Sequence, residues 1–171
     1  MDEGEFDQFY AATAPRLVGQ LTAMLGSFSE AQDCVQEAFV KAWLHRRELD
    51  STRHPEAWVR RVAWHTGVSR WRQSTSRLRA HRRRGVDPDV RPPTEDHAVL
   101  VSALSRISPD QRRAIVLHHL CDLSVEQVAV EVDAPVGTVK ARLSRGRAAL
   151  ADVLGSETSP AHDPQGEAHH A

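Results

Sequence analysis

An all-α fold of two small helical modules joined by a flexible linker is what this sequence predicts, and three observations predict it. Apolar residues recur three and four positions apart along most of the chain, strand-like alternation is sustained nowhere, and residues 74–97 interrupt the pattern with Gly85, Pro88, Pro92 and Pro93 among few apolar side chains. The spacing therefore places a first module at 1–73, a linker at 74–97, a second module at 98–154 and, from Gly155, a tail with nothing to bury and the composition of a disordered segment.

In the first module, Phe6, Phe9 and Tyr10, then Leu17, Val18, Leu21, Met24 and Leu25, trace the apolar faces of two helices broken at Pro15 and Gly26. Ser29, with Gln32 three residues on, reads as a capping box opening a third helix through Val35, Phe39, Val40, Trp43 and Leu44. Pro55 suits the first turn of a fourth, which carries Trp58, Val59, Val62, Ala63 and Val68 before it dissolves into arginines.

After the linker, Val99, Leu100, Ala103, Leu104 and Ile107 make a helix, and Ser108-Pro109-Asp110-Gln111 caps the next, which runs through Ile115, Val116 and Leu120. Residues 123–150 then read as a helix-turn-helix. Ser124 and Gln127 form a capping box, and Val125, Val128, Ala129 and Val132 give the short helix one buried face. Asp133 tolerates the left-handed turn conformation, and Pro135 suits a new start. In the last helix Val139, Leu143, Gly146, Leu150 and Val153, spaced 4, 3, 4 and 3, form the packed stripe, while Thr138, Arg142 and Arg145 point away from it. Lys140, Arg142, Arg145 and Arg147 lie in a stretch with no acid between Asp133 and Asp152, so a nucleic-acid partner is favoured over a merely solvated basic face.

The formal net charge of −1 hides strong segregation. Seven acids and only Arg16 occupy residues 1–40, whereas ten arginines and one acid, Glu56, occupy 53–84. Two of the 22 basic residues are lysine, an Arg bias that favours planar contacts with phosphates and bases. The acidic start is unlike a signal peptide and no apolar run approaches the roughly 20 residues that span a bilayer, so the expectation is a cytoplasmic protein without membrane insertion. Cys34 and Cys121 sit singly in helical patterns and read as small buried hydrophobes; His118, one turn from Cys121, lacks the further ligands a metal site needs. No nucleophile elbow, phosphate-cradling glycine loop or metal-ligand motif is present, so neither an enzyme nor a cofactor is expected.

Two helical modules, the second ending in Pro-Val-Gly-Thr-Val-Lys-Ala-Arg-Leu-Ser-Arg-Gly-Arg, resemble the extracytoplasmic-function branch of the bacterial sigma-70 family over about residues 5–154. Residues 29–43 are similar to the family segment that grips the polymerase clamp, and 55–63 to the start of its minus-ten reading helix. The resemblance implies a region 2-like four-helix module and a region 4-like helix-turn-helix module. It implies a non-enzymatic initiation factor whose partners are core RNA polymerase, through the clamp of the beta-prime subunit and the flap of the beta subunit, and promoter DNA. An anti-sigma factor is a further candidate partner.

On that reading Asp33, Gln36, Glu37 and Val40, which share a helix face, bind core polymerase. Arg60, Arg61, Trp64 and His65, expected at adjacent exposed positions, meet the minus-ten element with phosphate attraction and stacking surfaces. Thr138, Lys140, Arg142 and Arg145 meet the minus-35 element. Trp58, in register with Val62, is expected in the core. The chain departs from the family's usual Asn and Asp at His65 and Ser69, which bears on the minus-ten sequence read, and from its usual turn Gly at Asp133.

A stand-alone helix-turn-helix regulator would also explain residues 123–150, but leaves the acidic and basic helices of the first module without a role; a protein-only adaptor stands third. The opposite charges of 1–40 and 53–84, with a 24-residue linker that spans roughly 25–30 Å as a coil and about 80 Å stretched, motivate a closed free state that opens on polymerase.

Overall fold

The computed structural model describes residues 1–50, 54–80 and 95–157. Among these residues the ordered elements are all helical: α1 (Glu3–Leu25), α2 (Phe28–Leu44), the single turn α3 (Arg46–Asp50), α4 (Pro55–Ala80), α5 (Glu95–Ser105), α6 (Pro109–Ile115), a π-helical turn (Val116–Leu120), α7 (Val125–Val132) and α8 (Val136–Glu157).

Helix α1 is one helix where the sequence predicts two. A proline inside a helix removes one hydrogen bond and crowds the carbonyl four residues back. Here Pro15 and Ala11 are both exposed, so that carbonyl faces water, while Leu17 and Leu21 on the opposite side hold the helix to the core. Asp2 caps the start reciprocally with Glu5, and Gly26, at φ 87°, ends it in the left-handed conformation.

Helix α2 starts earlier than expected. Its cap is Ser27, whose hydroxyl accepts from the Glu30 N–H, and not Ser29. Helix α3, which periodicity over five residues could not reveal, carries Leu49 into the core. Helix α4 begins at Pro55 as expected but continues to Ala80, through the first seven residues of the predicted linker, and α5 begins at Glu95. The arginines of 70–79 are good helix formers, and their charge does not break the helix. The rest of the linker and the tail beyond Glu157 lie outside the described residues; α8 itself passes the predicted end at 154.

The first core joins α1, α2, α3 and α4 through Phe6, Leu17, Leu21, Val35, Phe39, Leu49, Val59 and Ala63. Edge-to-face contacts of Phe6 with Phe39 and Trp43, at ring-centroid distances of 6.2 and 5.1 Å, seat the start of α1 on α2. Trp58 is half-buried against this core, as its register with Val62 implies.

The second core contains Leu104, Ile107, Ile115, Val116, Leu117, Val128, Val139 and Leu143, together with Ala23 and Met24 from the end of α1. The modules therefore share packing. Gly146 belongs to the buried stripe because a Cβ there would lie 2.6 Å from Ile115 Cδ1 and 3.2 Å from Gln111 Cβ. Val99 and Leu100, expected to be buried, are exposed, whereas Ala103 and Leu104 carry the contact of α5.

The helix-turn-helix forms as its caps predict. Ser124 and Gln127 bond reciprocally, and Asp133, at φ 51°, makes the left-handed turn between α7 and α8. Upstream, α6 does not run on as an α-helix: the Cys121 N–H donates to the Val116 carbonyl five residues back, and Asp122, at φ 53°, ends the turn.

Candidate nucleic-acid and polymerase interfaces

Three helix faces carry the predicted site residues. On α2, Asp33, Gln36 and Val40 are exposed and Glu37 is half-exposed, with Leu44 continuing the stripe. This is an acidic rim around an apolar strip. Its charge is partly answered within the module: Arg70 of α4 lies 2.8 Å from Glu37 and 3.9 Å from Asp33, and Lys41 lies 2.8 Å from Glu37. The hydrogen bond from Lys41, opposed by slight burial and aided by Arg70, holds the Glu37 carboxyl below its ordinary pKa. Asp33 and Glu37 thus meet basic residues of their own module, and so does Glu56, ion-paired with Arg16. They do not draw the two modules together.

On α4 the four predicted minus-ten residues divide. Arg61 and His65 are exposed on one side. Arg60 is not at an exposed position, contrary to expectation: it is 4% exposed, and its Nε and Nη2 donate to the two carboxylate oxygens of Glu131 on α7 at 2.8 and 2.7 Å. Burial disfavours its charge, but the Glu131 carboxylate outweighs that and raises the guanidinium pKa. Trp64 is half-buried, with the Arg113 guanidinium over its ring at 4.7 Å from the centroid. The sequence did hold a signal for this split, since Arg60, Trp64 and Gly67 are spaced 4 and 3, the register of a packed stripe. At Gly67 the absent Cβ leaves room for Leu25 of α1, whose Cδ1 would lie 2.8 Å from it.

His65 sits beside Arg113 and Arg61; partial burial and then those cations lower its pKa. It is therefore mainly neutral near pH 7, able to stack or hydrogen-bond without carrying charge.

Neither Glu131 nor Arg113 is singled out by the sequence, yet both stand at the junction of the modules. Arg113 also donates to the Glu131 backbone carbonyl at 3.2 Å, and burial, opposed by the Glu131 charge, pushes its pKa down to about 10. Beside it, Arg112 donates to the Met24 carbonyl at the end of α1 and to the Ser105 and Ile107 carbonyls around the end of α5. Three arginines thus tie the modules together. A cleft of about 850 Å³ remains between them, with Phe9, Thr13, Trp58 and Arg61 on one wall and Cys121, Gln127 and Val130 on the other.

On α8, Thr138, Lys140 and Arg145 are exposed. Arg142 is half-buried and donates to Asp110 of α6 at 2.7 Å, so it is held in place and not extended into solvent. Among the described residues no three metal-ligating side chains converge, and no helix is long and apolar enough to cross a membrane.

The fold and faces define a class: a two-module helical protein with a basic surface on each module and a helix-turn-helix in the second. The Sigma-70 region 2 family model matches residues 9–77, and the Sigma-70 region 4 model matches 97–150. The ECF RNA polymerase sigma factor SigW of Bacillus subtilis is 32% identical over 150 residues, covering 77% of this chain and 79% of that protein. The ECF RNA polymerase sigma-E factor of Escherichia coli is 30% identical, covering 78% of each chain. Among solved structures, the sigma factor RpoE bound to the anti-sigma factor NepR from Bartonella quintana shares the fold with a TM-score of 0.78, at 24% identity over 88% of this chain and 97% of that one.

The chain belongs to the extracytoplasmic-function branch of the sigma-70 family. It is an alternative sigma factor of transcription initiation.

Proposed function

We propose that the factor binds core RNA polymerase through the α2 face of Asp33, Gln36, Glu37 and Val40 on the beta-prime clamp, and through its second module on the beta flap. Thr138, Lys140, Arg142 and Arg145 read the minus-35 element; Arg61 and His65, joined by Arg60 and Trp64 once these are released from the second module, engage the minus-ten element and assist melting. The factor adds recognition and no chemistry of its own, and acts in the cytoplasm, where polymerase and promoter meet. An anti-sigma factor would act by covering these faces, and the complex of a structural relative with its anti-sigma factor supports such a partner.

One observation carries this reading: each module presents its own exposed helix face suited to DNA, Arg61 beside the neutral His65 on α4 and Thr138, Lys140 and Arg145 on α8. A stand-alone helix-turn-helix regulator needs only the second. Run-off transcription with core polymerase over a promoter library tests it. Transcripts that depend on the factor, and a drop in their yield with Arg145→Ala, are expected. Duplex binding without polymerase binding or transcripts would replace the reading with that of a simple regulator.

A further inference from the structure

The Arg60–Glu131 pair joins the two modules at a point where a DNA ligand is expected to act. Its geometry is a fork on a fork, two parallel N–H···O bonds of 2.8 and 2.7 Å, which is also how a guanidinium takes a phosphate. Both side chains are almost wholly enclosed, Arg60 at 4% and Glu131 at 5% side-chain exposure. One turn along α4, Arg113 covers the face of Trp64 on which a base would stack.

We propose that Glu131 is an internal phosphate mimic: it occupies the Arg60 fork, draws α7 onto α4 and, with Arg113 over Trp64, keeps the free factor from gripping single-stranded promoter DNA until the modules part. The proposal rests on the reading that Arg60 and Trp64 are DNA ligands. Its physical core is an asymmetry of charge burial. Removing the Glu131 carboxylate leaves the buried guanidinium in the closed form with only the longer contacts of its Nη1 to Glu56 at 3.7 Å and Gln20 at 3.5 Å, both in the first module, whereas an open form returns that guanidinium to water. Loss of Glu131 therefore shifts the equilibrium toward opening by about tenfold or more. The neighbouring contacts do not share this property, because Arg112 bonds only backbone carbonyls and Arg16–Glu56 lies within the first module.

The chain carries its own reporters. Cys121, half-buried where the sequence predicts a buried side chain, lines the cleft beside Arg60 and Glu131, and its burial pushes the thiol pKa up to about 12, so it is a poor nucleophile while the modules are closed. Cys34 is fully buried in the first core, with its thiol pushed up to about 11, and reports whether that module stays folded. Alkylation by N-ethylmaleimide, read residue by residue by mass spectrometry on the full chain, measures both.

In Glu131→Ala, Cys121 is expected to react about tenfold faster or more while Cys34 stays protected, because only the closed form is weakened. Replacing both partners, Arg60→Met with Glu131→Met, leaves no charge stranded and should restore protection of Cys121. An open double variant would show that lost packing, and not the stranded charge, caused opening, and would overturn the latch. So would unchanged Cys121 reactivity in Glu131→Ala. In parallel, fluorescence anisotropy with a single-stranded oligonucleotide from a promoter selected by run-off transcription should show about tenfold tighter binding by Glu131→Ala than by wild type. Faster alkylation with unchanged oligonucleotide affinity would overturn the inhibition and remove Arg60 and Trp64 from the DNA site, a failure distinct from that of the latch.

Discussion

Asp33 of α2 is 62% exposed at its side chain and lies 3.9 Å from Arg70. An exposed pair at that distance contributes little to stability, so Asp33→Arg should change the unfolding free energy by less than about 0.5 kcal/mol. Its effect on polymerase binding should be much larger if the acid faces a basic clamp, and a pull-down titration of core polymerase should show weaker binding with an unchanged circular dichroism spectrum. Wild-type affinity would take this face out of the interface. Sequence spacing was enough to place Asp33, Gln36, Glu37 and Val40 on one face, because that depends on a single helix. It could not show Arg70 lying across two of the acids, nor Asp110 holding Arg142, since both contacts come from other helices.

At the scale of elements, two glycines in helix interiors have opposite meanings. Glycine costs a helix about 0.5–1 kcal/mol relative to alanine. At Gly19 of α1 a Cβ would meet nothing within 4 Å, so Gly19→Ala should stabilise by about that amount. At Gly146 of α8 the Cβ would press on Ile115 and Gln111 between α8 and α6, and overpacking of about 1–3 kcal/mol outweighs the helical gain. Chemical denaturation of the two variants should therefore move the midpoint in opposite directions. The sequence revealed Gly146 as a packing glycine through the 4, 3, 4, 3 stripe, and the Ser124–Gln127 box and the Asp133 turn because caps are local chemistry. Pro15 was misread because whether a proline ends a helix depends on which side its lost hydrogen bond faces, and that is decided by the core. Arg60 was misplaced for the related reason that a helix has two faces able to look polar, and only its register with Trp64 and Gly67 separates the buried one from that of Arg61 and His65.

Across the whole molecule, the end of α1 is common property: Ala23 and Met24 complete the second core while Leu17 and Leu21 of the same helix build the first. Heating should accordingly unfold wild type in one coupled calorimetric transition, and Glu131→Ala should loosen the coupling into two resolvable steps. Two separate steps in wild type would show that the shared residues do not bind the modules into one cooperative unit. The π-helical turn at Val116–Leu120 adds a constraint of another kind. Such a turn holds one residue more than an α-helix of the same rise, and each residue turns the chain by about 100°. Deleting a single residue here would swing α7 by roughly a quarter turn about the axis of α6, carry Glu131 out of reach of Arg60 and pull Val128, Val139 and Leu143 out of register with Ile115, Val116 and Leu117. Phase, set by a count of residues in this short stretch, is therefore shared by the contact of α7 with α4 and by the packing of α8 on α6, and an insertion or deletion at this point would disturb both at once.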